Sequence, residues 1–355
     1  MQINMIGPYN ETGYGVHFSN LLKALVALPE VDVTWFNIGP VTADPPVSTG
    51  KCYYQVKDWD PSAPSIRLFH EFDMALFPGY EPIAYPVFEL DAIRQDAVHQ
   101  LAKCNMVMVP SAWAKDVILS VPALQDMDVY VVPEGVSDDF FSVGEPINFF
   151  PNDDVFRFLH IGKYETRKNQ DLIYDAYMKA FGGRKDVELV FMIDNLWDQE
   201  GTQRFKQRAY AGKGRITFLP RVNKQTLIAL IHEVQAGVFA SRAEGWNLPL
   251  LEMMAAGKPV ITTSNTGMTE FVTSLNAWII DSGPLIPAMD NKFFVGEGRW
   301  YDPGCKQLAE FMHSMFLHGR DGIEHNQSGI DTAKQFSWTN AAKTLLGAFG
   351  AGPDA

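Results

Sequence analysis

Residues 236–263 read AGVFASRAEGWNLPLLEMMAAGKPVITT, and this stretch decides the fold. Apolar residues at 238–241 predict a strand and polar residues at 242–247 a loop. Pro249 then opens a short helix, Gly257 stops it, and 260–263 form a second apolar strand. Proline at the first helical position and glycine just past the last follow the usual asymmetry of helix ends, which fixes the register. Two apolar strands joined through a helix make a crossover unit of a parallel sheet.

Glu244 falls in the loop before this helix and Glu252 in its first turn. A helix N-terminus presents unpaired N–H groups and the positive end of the dipole to an anion, while a carboxylate accepts hydrogen bonds from a diol. Such a pair suits a ligand with both phosphate and sugar hydroxyls. It equally suits two acids that do no more than favour a helix N-terminus, and the spacing alone leaves both readings open.

The segment EGWNLPLLE resembles the Glu, seven residues, Glu signature of retaining glycosyltransferases of the family-four (glycosyl transferases group 1) type. The resemblance implies an α/β chain of two Rossmann-like domains facing across a cleft, the GT-B fold. It places Glu244 by the donor sugar and Glu252 on the nucleotide ribose. The amides of Trp246, Asn247 and Leu248 then face the diphosphate or sugar. Many members carry Phe-Gly where this chain has Trp246-Asn247, which alters the expected shape of the sugar pocket.

The 355 residues are 46% hydrophobic and 20% charged, enough for two domains each with its own core. A formal net charge of −13 argues against broad attraction to nucleic acid or anionic lipid. Cys52, Cys104 and Cys305 show no short metal-binding spacing. The start MQINMIGPYN has no signal-peptide pattern, and no apolar run reaches the roughly 20 residues of a membrane span. The expectation is a cytoplasmic protein, peripheral to a membrane at most.

In the first domain, a strand at 3–7 and a helix at 16–28 flank Gly13-Tyr14-Gly15, where glycine lets backbone amides approach a ligand. A third glycine and a following acid are missing from the dinucleotide fingerprint, so an oxidoreductase is a poor fit. A strand is expected at 31–36, a loop-rich stretch at 42–64, and a buried strand at 65–69 ending in His70. Histidine there sits where open parallel sheets bind ligands. By the resemblance, Gly13, Tyr14 and Gly15 lie near donor phosphate or acceptor and His70 contacts the donor sugar. Glu71 and Asp73 are weaker candidates for the acceptor. A helix at 91–104, a strand at 106–109, a helix capped by Ser111, a strand at 129–132 and an architectural turn at 133–136 complete the domain.

The turn-rich segment 138–154 reads as a linker. Domains are therefore expected at 1–145 and 155–335, with a last helix at 337–355 crossing back to the first. In the second, the loop Gly162-Lys163-Tyr164-Glu165-Thr166-Arg167-Lys168-Asn169 separates a strand at 156–161 from a helix at 170–181. The resemblance assigns the two phosphate-binding cations to Lys163 and Lys168, with Arg167 supplying the guanidinium that lysine lacks at 163. A strand at 188–193, a polar segment to 215, a strand at 216–219 and a helix at 224–233 follow. Arg221 and Val222 border the base by the same resemblance. Residues 281–303 read as an aperiodic, decorative insertion, followed by a helix at 306–316 and one capped by Ser337.

The function implied is a retaining hexosyltransferase that needs neither cofactor nor metal. It moves a sugar from a UDP- or GDP-sugar donor to an acceptor hydroxyl in glycan or polysaccharide synthesis. Glu244, His70 and Lys168 are its catalytic residues. The rival expectations are a non-catalytic nucleotide-sugar-binding subunit and a sugar transferase acting on modified DNA bases.

Overall fold

A computed structural model describes residues 1–39, 52–53, 59–75, 81–143, 147–151, 154–290, 292–320 and 325–350. Much of the loop-rich stretch at 42–64, parts of the expected linker and the end of the expected last helix lie outside the described residues. The chain divides into two compact units, Met1–Ser137 with Phe336–Ala355, and Asp138–Gln335. Segment 138–154, expected as a linker, sorts with the second unit. A short 3-10 turn at Asp138–Phe141 buries Phe140 there.

The first unit runs β1 (Gln2–Gly7), α1 (Gly13–Val26), β2 (Asp32–Asn37), β3 (Cys52–Tyr53), β4 (Ser65–Phe69), β5 (Pro82–Pro86), α2 (Gln95–Leu101), β6 (Met106–Val109), α3 (Ala112–Leu119) and β7 (Val129–Val131). Its seven strands pair in the order β3-β2-β1-β4-β5-β6-β7, all parallel. Helices cover both faces of such a sheet, so its strands are largely apolar, with Asn4, Thr34, Ser65 and Arg67 as buried polar exceptions. Ile3, Met5, Ile66, Leu68, Ile83 and Val107 are fully or almost fully buried. The helix expected at 91–104 begins only at Gln95. Strand β5, central to the sheet, has proline at both ends and gives no strand signal in sequence.

The second unit runs β8 (Phe156–Lys163), α4 (Gln170–Phe181), β9 (Val187–Asp194), α5 (Gln199–Ala211), β10 (Ile216–Leu219), α6 (Lys224–Glu233), β11 (Ala236–Phe239), α7 (Leu248–Ala255), β12 (Val260–Thr263), β13 (Trp278–Ile280), β14 (Leu285–Met289), β15 (Val295–Tyr301), α8 (Cys305–Arg320) and α9 (Gln327–Gln335). Six parallel strands take the order β10-β9-β8-β11-β12-β13. Aromatic rings fill the core: Phe191 stacks on Phe218 with centroids 5.5 Å apart, and Phe158 meets Phe181 at 5.9 Å. The polar segment after β9 is helix α5, whose inner face holds one large apolar residue, Phe205. The insertion at 281–303 is an antiparallel hairpin, β14-β15, which buries Trp300 against Phe294. Helix α10 (Trp338–Ala348) belongs to the first unit and packs on α1, with Ser337 capping it through Asn340 N at 3.1 Å.

Candidate functional site

In an open parallel sheet, ligands bind beyond the carboxyl ends of the strands where the strand order reverses. In the second unit that point lies between β8 and β11, so the loops after these strands, 164–169 and 240–247, are neighbours. A 3-10 turn at Thr166–Lys168 and the left-handed Asn169 (φ 62°) aim the cations. Glu244 is buried among them. Arg167 Nη1 reaches its Oε2 at 2.7 Å, Lys168 Nζ bridges both oxygens at 2.8 and 3.0 Å, and Ser241 Oγ donates to Oε1 at 2.8 Å. Glu165 ties the other side, pairing with Lys163 at 2.7 Å and Arg167 at 2.9 Å.

The backbone around Glu244 is fixed as firmly as its carboxylate. Its N–H donates to Thr266 Oγ1 at 2.9 Å, and its carbonyl accepts from Gly267 N at 3.0 Å. Gly267 lies so close to the loop that a Cβ there would stand 1.9 Å from the Gly245 carbonyl oxygen, so only glycine fits. The Arg242 N–H donates to the Arg167 carbonyl at 2.7 Å, joining the two loops directly.

Burial alone raises the pKa of Glu244, but the charges of Lys168 and Arg167 and the hydrogen bonds from Lys168 and Ser241 outweigh it and bring it down to about 2. Glu165 is held below the ordinary carboxylate range: burial opposes, and Arg167, Lys163 and Lys168 prevail. Beneath them His160 is buried, its ring Nδ1 on the Val238 carbonyl at 2.9 Å. Desolvation drops its pKa to about 4, so it is neutral. Three cations against two carboxylates leave this cluster one net positive charge.

Helix α7 begins beside it. Asn247, at φ 90°, caps the helix by accepting from Leu250 N, and the Leu248 amide at the first helical position has no intrahelical acceptor. The Trp246 ring packs in the core on Phe271, centroids 5.0 Å apart, so this residue brings its backbone to the site. Glu252, in the same first turns, forms no side-chain hydrogen bond or ion pair with a described residue. Desolvation lifts its pKa to about 7, against a small opposing effect of Lys224. Arg221 and Val222 follow β10, the sheet's edge strand, two strands from β8 on the same carboxyl edge. Their place on the edge does not by itself bring them to the cluster.

The first unit has its own switch point between β1 and β4; Gly13, Tyr14 and Gly15, expected in the loop before the helix, form the first turn of α1 after β1, and His70 follows β4. A Cβ on Gly15 would lie 2.2 Å from Asn10 backbone and side-chain oxygens, whereas at Gly13 it would meet nothing within 4 Å. Glycine is thus sterically required at 15 alone. Tyr14 Oη donates its one proton to the Val87 carbonyl at 2.6 Å and stands 2.9 Å from His70 Nδ1, so Nδ1 is the donor in that second contact. Phe72 stacks on the same ring at 5.0 Å and 9°. Asp73 pairs with Arg67 at 2.5 Å, a structural tie. Glu71 is raised to about 7, chiefly by burial, with Glu89 adding and Arg94 opposing.

Sequence reasoning missed Glu165 as a cation clamp, and Ser241, Thr266 and His160 as supports. None carries a motif of its own. It also missed the buried contact of His17 Nδ1 with Glu134 Oε1 at 3.4 Å, which brings α1 against the 133–136 turn without a hydrogen bond. The chain also holds two Asp-x-Asp triplets, 58–60 and 126–128. Asp58 lies outside the described residues, and Asp60 accepts from the Ser62 amide and hydroxyl before β4. Asp126 and Asp128 lie exposed before β7, at the amino edge away from the switch point. Among the described residues no group of three or more His, Cys, Asp or Glu side chains is placed to hold a metal ion, and no helix is long and apolar enough to cross a membrane.

Two Rossmann-like units in one chain, one with a cation cluster around a buried glutamate at its switch point, define a protein of the GT-B fold class. Residues 146–290 match the family of glycosyl transferases group 1. Sucrose-phosphate synthase from Thermosynechococcus elongatus superposes with a TM-score of 0.71 at 13% identity, over 99% of this chain and 98% of that one. Anabaena HepE in complex with UDP-glucose gives 0.70 at 12% identity, over 99% of each chain. Mannosylfructose-phosphate synthase of Agrobacterium fabrum is 23% identical over 283 residues, 73% of this chain and 56% of its own length. This chain thus spans about half the length of the curated relatives it matches. It is a GT-B fold protein related to the group 1 glycosyltransferases.

Proposed function

We propose that this chain transfers a sugar, with retention at the anomeric carbon, from a UDP- or GDP-sugar to an acceptor hydroxyl in glycan or polysaccharide synthesis. The observation that carries this reading is Glu244 held between Arg167 and Lys168 at the switch point, beside the N-terminus of α7. An arriving diphosphate is stabilised by Lys163, Arg167, Lys168 and the amides of Trp246, Asn247 and Leu248, charge that serves in place of a metal. Glu252 accepts hydrogen bonds from the ribose, and Arg221 and Val222 border the base. In the first unit the 13–15 turn stands by donor phosphate or acceptor, and the Tyr14-oriented His70 contacts the donor sugar.

In the reaction the bond from the anomeric carbon to the phosphate oxygen breaks, and the acceptor oxygen bonds to that carbon on the same face. The acceptor proton passes to the departing phosphate oxygen. A carboxylate with a pKa of about 2, engaged by three side chains, is a weak nucleophile. Glu244 therefore acts by position and charge, stabilising the cationic sugar ring. The cytoplasm is the proposed location, in keeping with Cys104 and Cys305 being free thiols.

The test is turnover of wild type, Lys168→Ala and Glu244→Gln over a panel of nucleotide sugars and acceptors, with donor binding followed by thermal shift. Loss of transfer by about 100-fold or more in each variant is expected. Unchanged turnover in both overturns the proposal, and donor binding without transfer to any acceptor favours a non-catalytic binding subunit. Because breaking a buried ion pair costs about 3–5 kcal/mol, Glu244→Gln also weakens the fold. Lys168→Ala is the cleaner probe.

A further inference from the structure

The second unit holds another cavity, about 390 Å³, at the carboxyl end of α7. Eight residues of helix, about 12 Å, separate it from the α7 N-terminus where the donor groups gather. Three basic residues from three separate segments line it: His232 in the last turn of α6, Lys258 after α7, and His325 before α9. Among the described residues no carboxylate lines it. Apolar Phe141, Val143 and Ile330 also line it.

The bases are held there by design of the backbone around them. Lys258 Nζ donates to the carbonyls of His232 and Val234, both at 2.8 Å, leaving its third proton uncommitted. The His325 ring lies over the bare Cα of Gly257, and the neighbouring Asn326 fixes it by bonding the Gly257 and Lys258 carbonyls at 2.9 and 3.1 Å. His232 Nε2 is buried and has no partner. Burial pushes the Lys258 ammonium down to about 8. It also lowers His232, with the charge of Lys258 adding to the effect, the backbone of Phe140 and Ser142 opposing it, and the charge of His325 adding least. Bases gathered in this way repel one another when charged, and an anion among them removes the repulsion.

We propose that this cavity binds an amphiphilic organic anion, its phosphate or carboxylate head among His232, Lys258 and His325 and its apolar body against Phe141, Val143 and Ile330. The volume lies in the range of small-molecule sites. This site is independent of the donor reading, since it shares no residue with it.

Calorimetric titration with naphthyl phosphate and naphthoate tests it, with naphthol and inorganic phosphate as controls and saturating UDP present to block the donor site. At least one naphthyl anion binds, tighter than either control and more weakly at pH 9 than at pH 7. Lys258→Met weakens it about tenfold or more, His325→Gln weakens it several-fold, and Lys168→Ala leaves it unchanged. His325 is exposed, so its variant folds even if Lys258→Met does not. Absence of binding overturns the proposal. So does binding equal in wild type and His325→Gln, binding lost in Lys168→Ala, or naphthol binding as tightly as the anions.

Discussion

Glu252 is kept in a state that opposes folding. Its carboxyl, desolvated and without a protein partner, has a pKa of about 7 against 4.5 for the ordinary group. Below pH 4.5 it is protonated in both folded and unfolded chains and has no effect. Above pH 7 it is charged in both, and the folded state bears the desolvation, on the order of 3 kcal/mol. On the proposed reading ribose hydroxyls donate to the carboxylate and relieve this, so donor affinity should fall as pH drops below 7. Glu252→Gln is expected to raise the melting temperature of the ligand-free protein at pH 8, with the gain fading toward pH 5, and to weaken nucleotide binding. Melting curves at the two pH values with and without UDP or GDP check both signs. A variant less stable than wild type at pH 8 would show that the carboxylate has a partner after all. Glu244 is its opposite: stabilised as an anion, it contributes stability above pH 4.5 that is lost as pH falls toward 2.

Helix α7 shows how an element sets a site. Asn247 stands at φ 90° and caps the helix, two demands on one residue. Asn247→Ala loses the cap and strains the left-handed backbone, costing about 1–2 kcal/mol. Asn247→Gly keeps the backbone at ease and should cost clearly less, as chemical denaturation would show; equal losses would mean the φ angle is not demanding. This helix was legible in sequence because Pro249 and Gly257 punctuate it and an apolar strand stands on each side. Strand β5 was not, because its end prolines read as loop, nor was α5, where Phe205 is the single large apolar residue on the inner face. The β14-β15 hairpin hides behind outward-facing Leu285, Met289 and Val295, which spoil the alternation. At the site, the cations of 163–168 and the two glutamates were singled out through the resemblance, because charge on a loop and acids at a helix N-terminus are by themselves equally compatible with a solvated, structural role. That Arg167 serves Glu244 and Glu165 together depends on β8 and β11 being neighbours, which only the strand order reveals.

At the scale of the whole chain, the first unit is discontinuous and the second continuous. Helix α10 buries Trp338, Ala341, Ala342, Leu345 and Ala348, and it packs on α1. Its entry is locked to the 133–136 turn: Val136 N donates to the Phe336 carbonyl at 2.8 Å, and a Cβ on Gly135 would lie 2.4 Å from Trp338 N. The Trp338 ring lies 5.5 Å from His17, which contacts Glu134. Burying one tryptophan and one leucine is worth about 3–6 kcal/mol, a large share of the 5–15 kcal/mol typical of a domain. The first unit therefore cannot complete its core until the last residues are made, whereas the second has all its strands earlier. A chain ending at Gln335 should leave 138–335 resistant to limited proteolysis while 1–137 is cut. Equal resistance of the two units would mean that α1 and the buried His17–Glu134 contact hold without the helix that covers them.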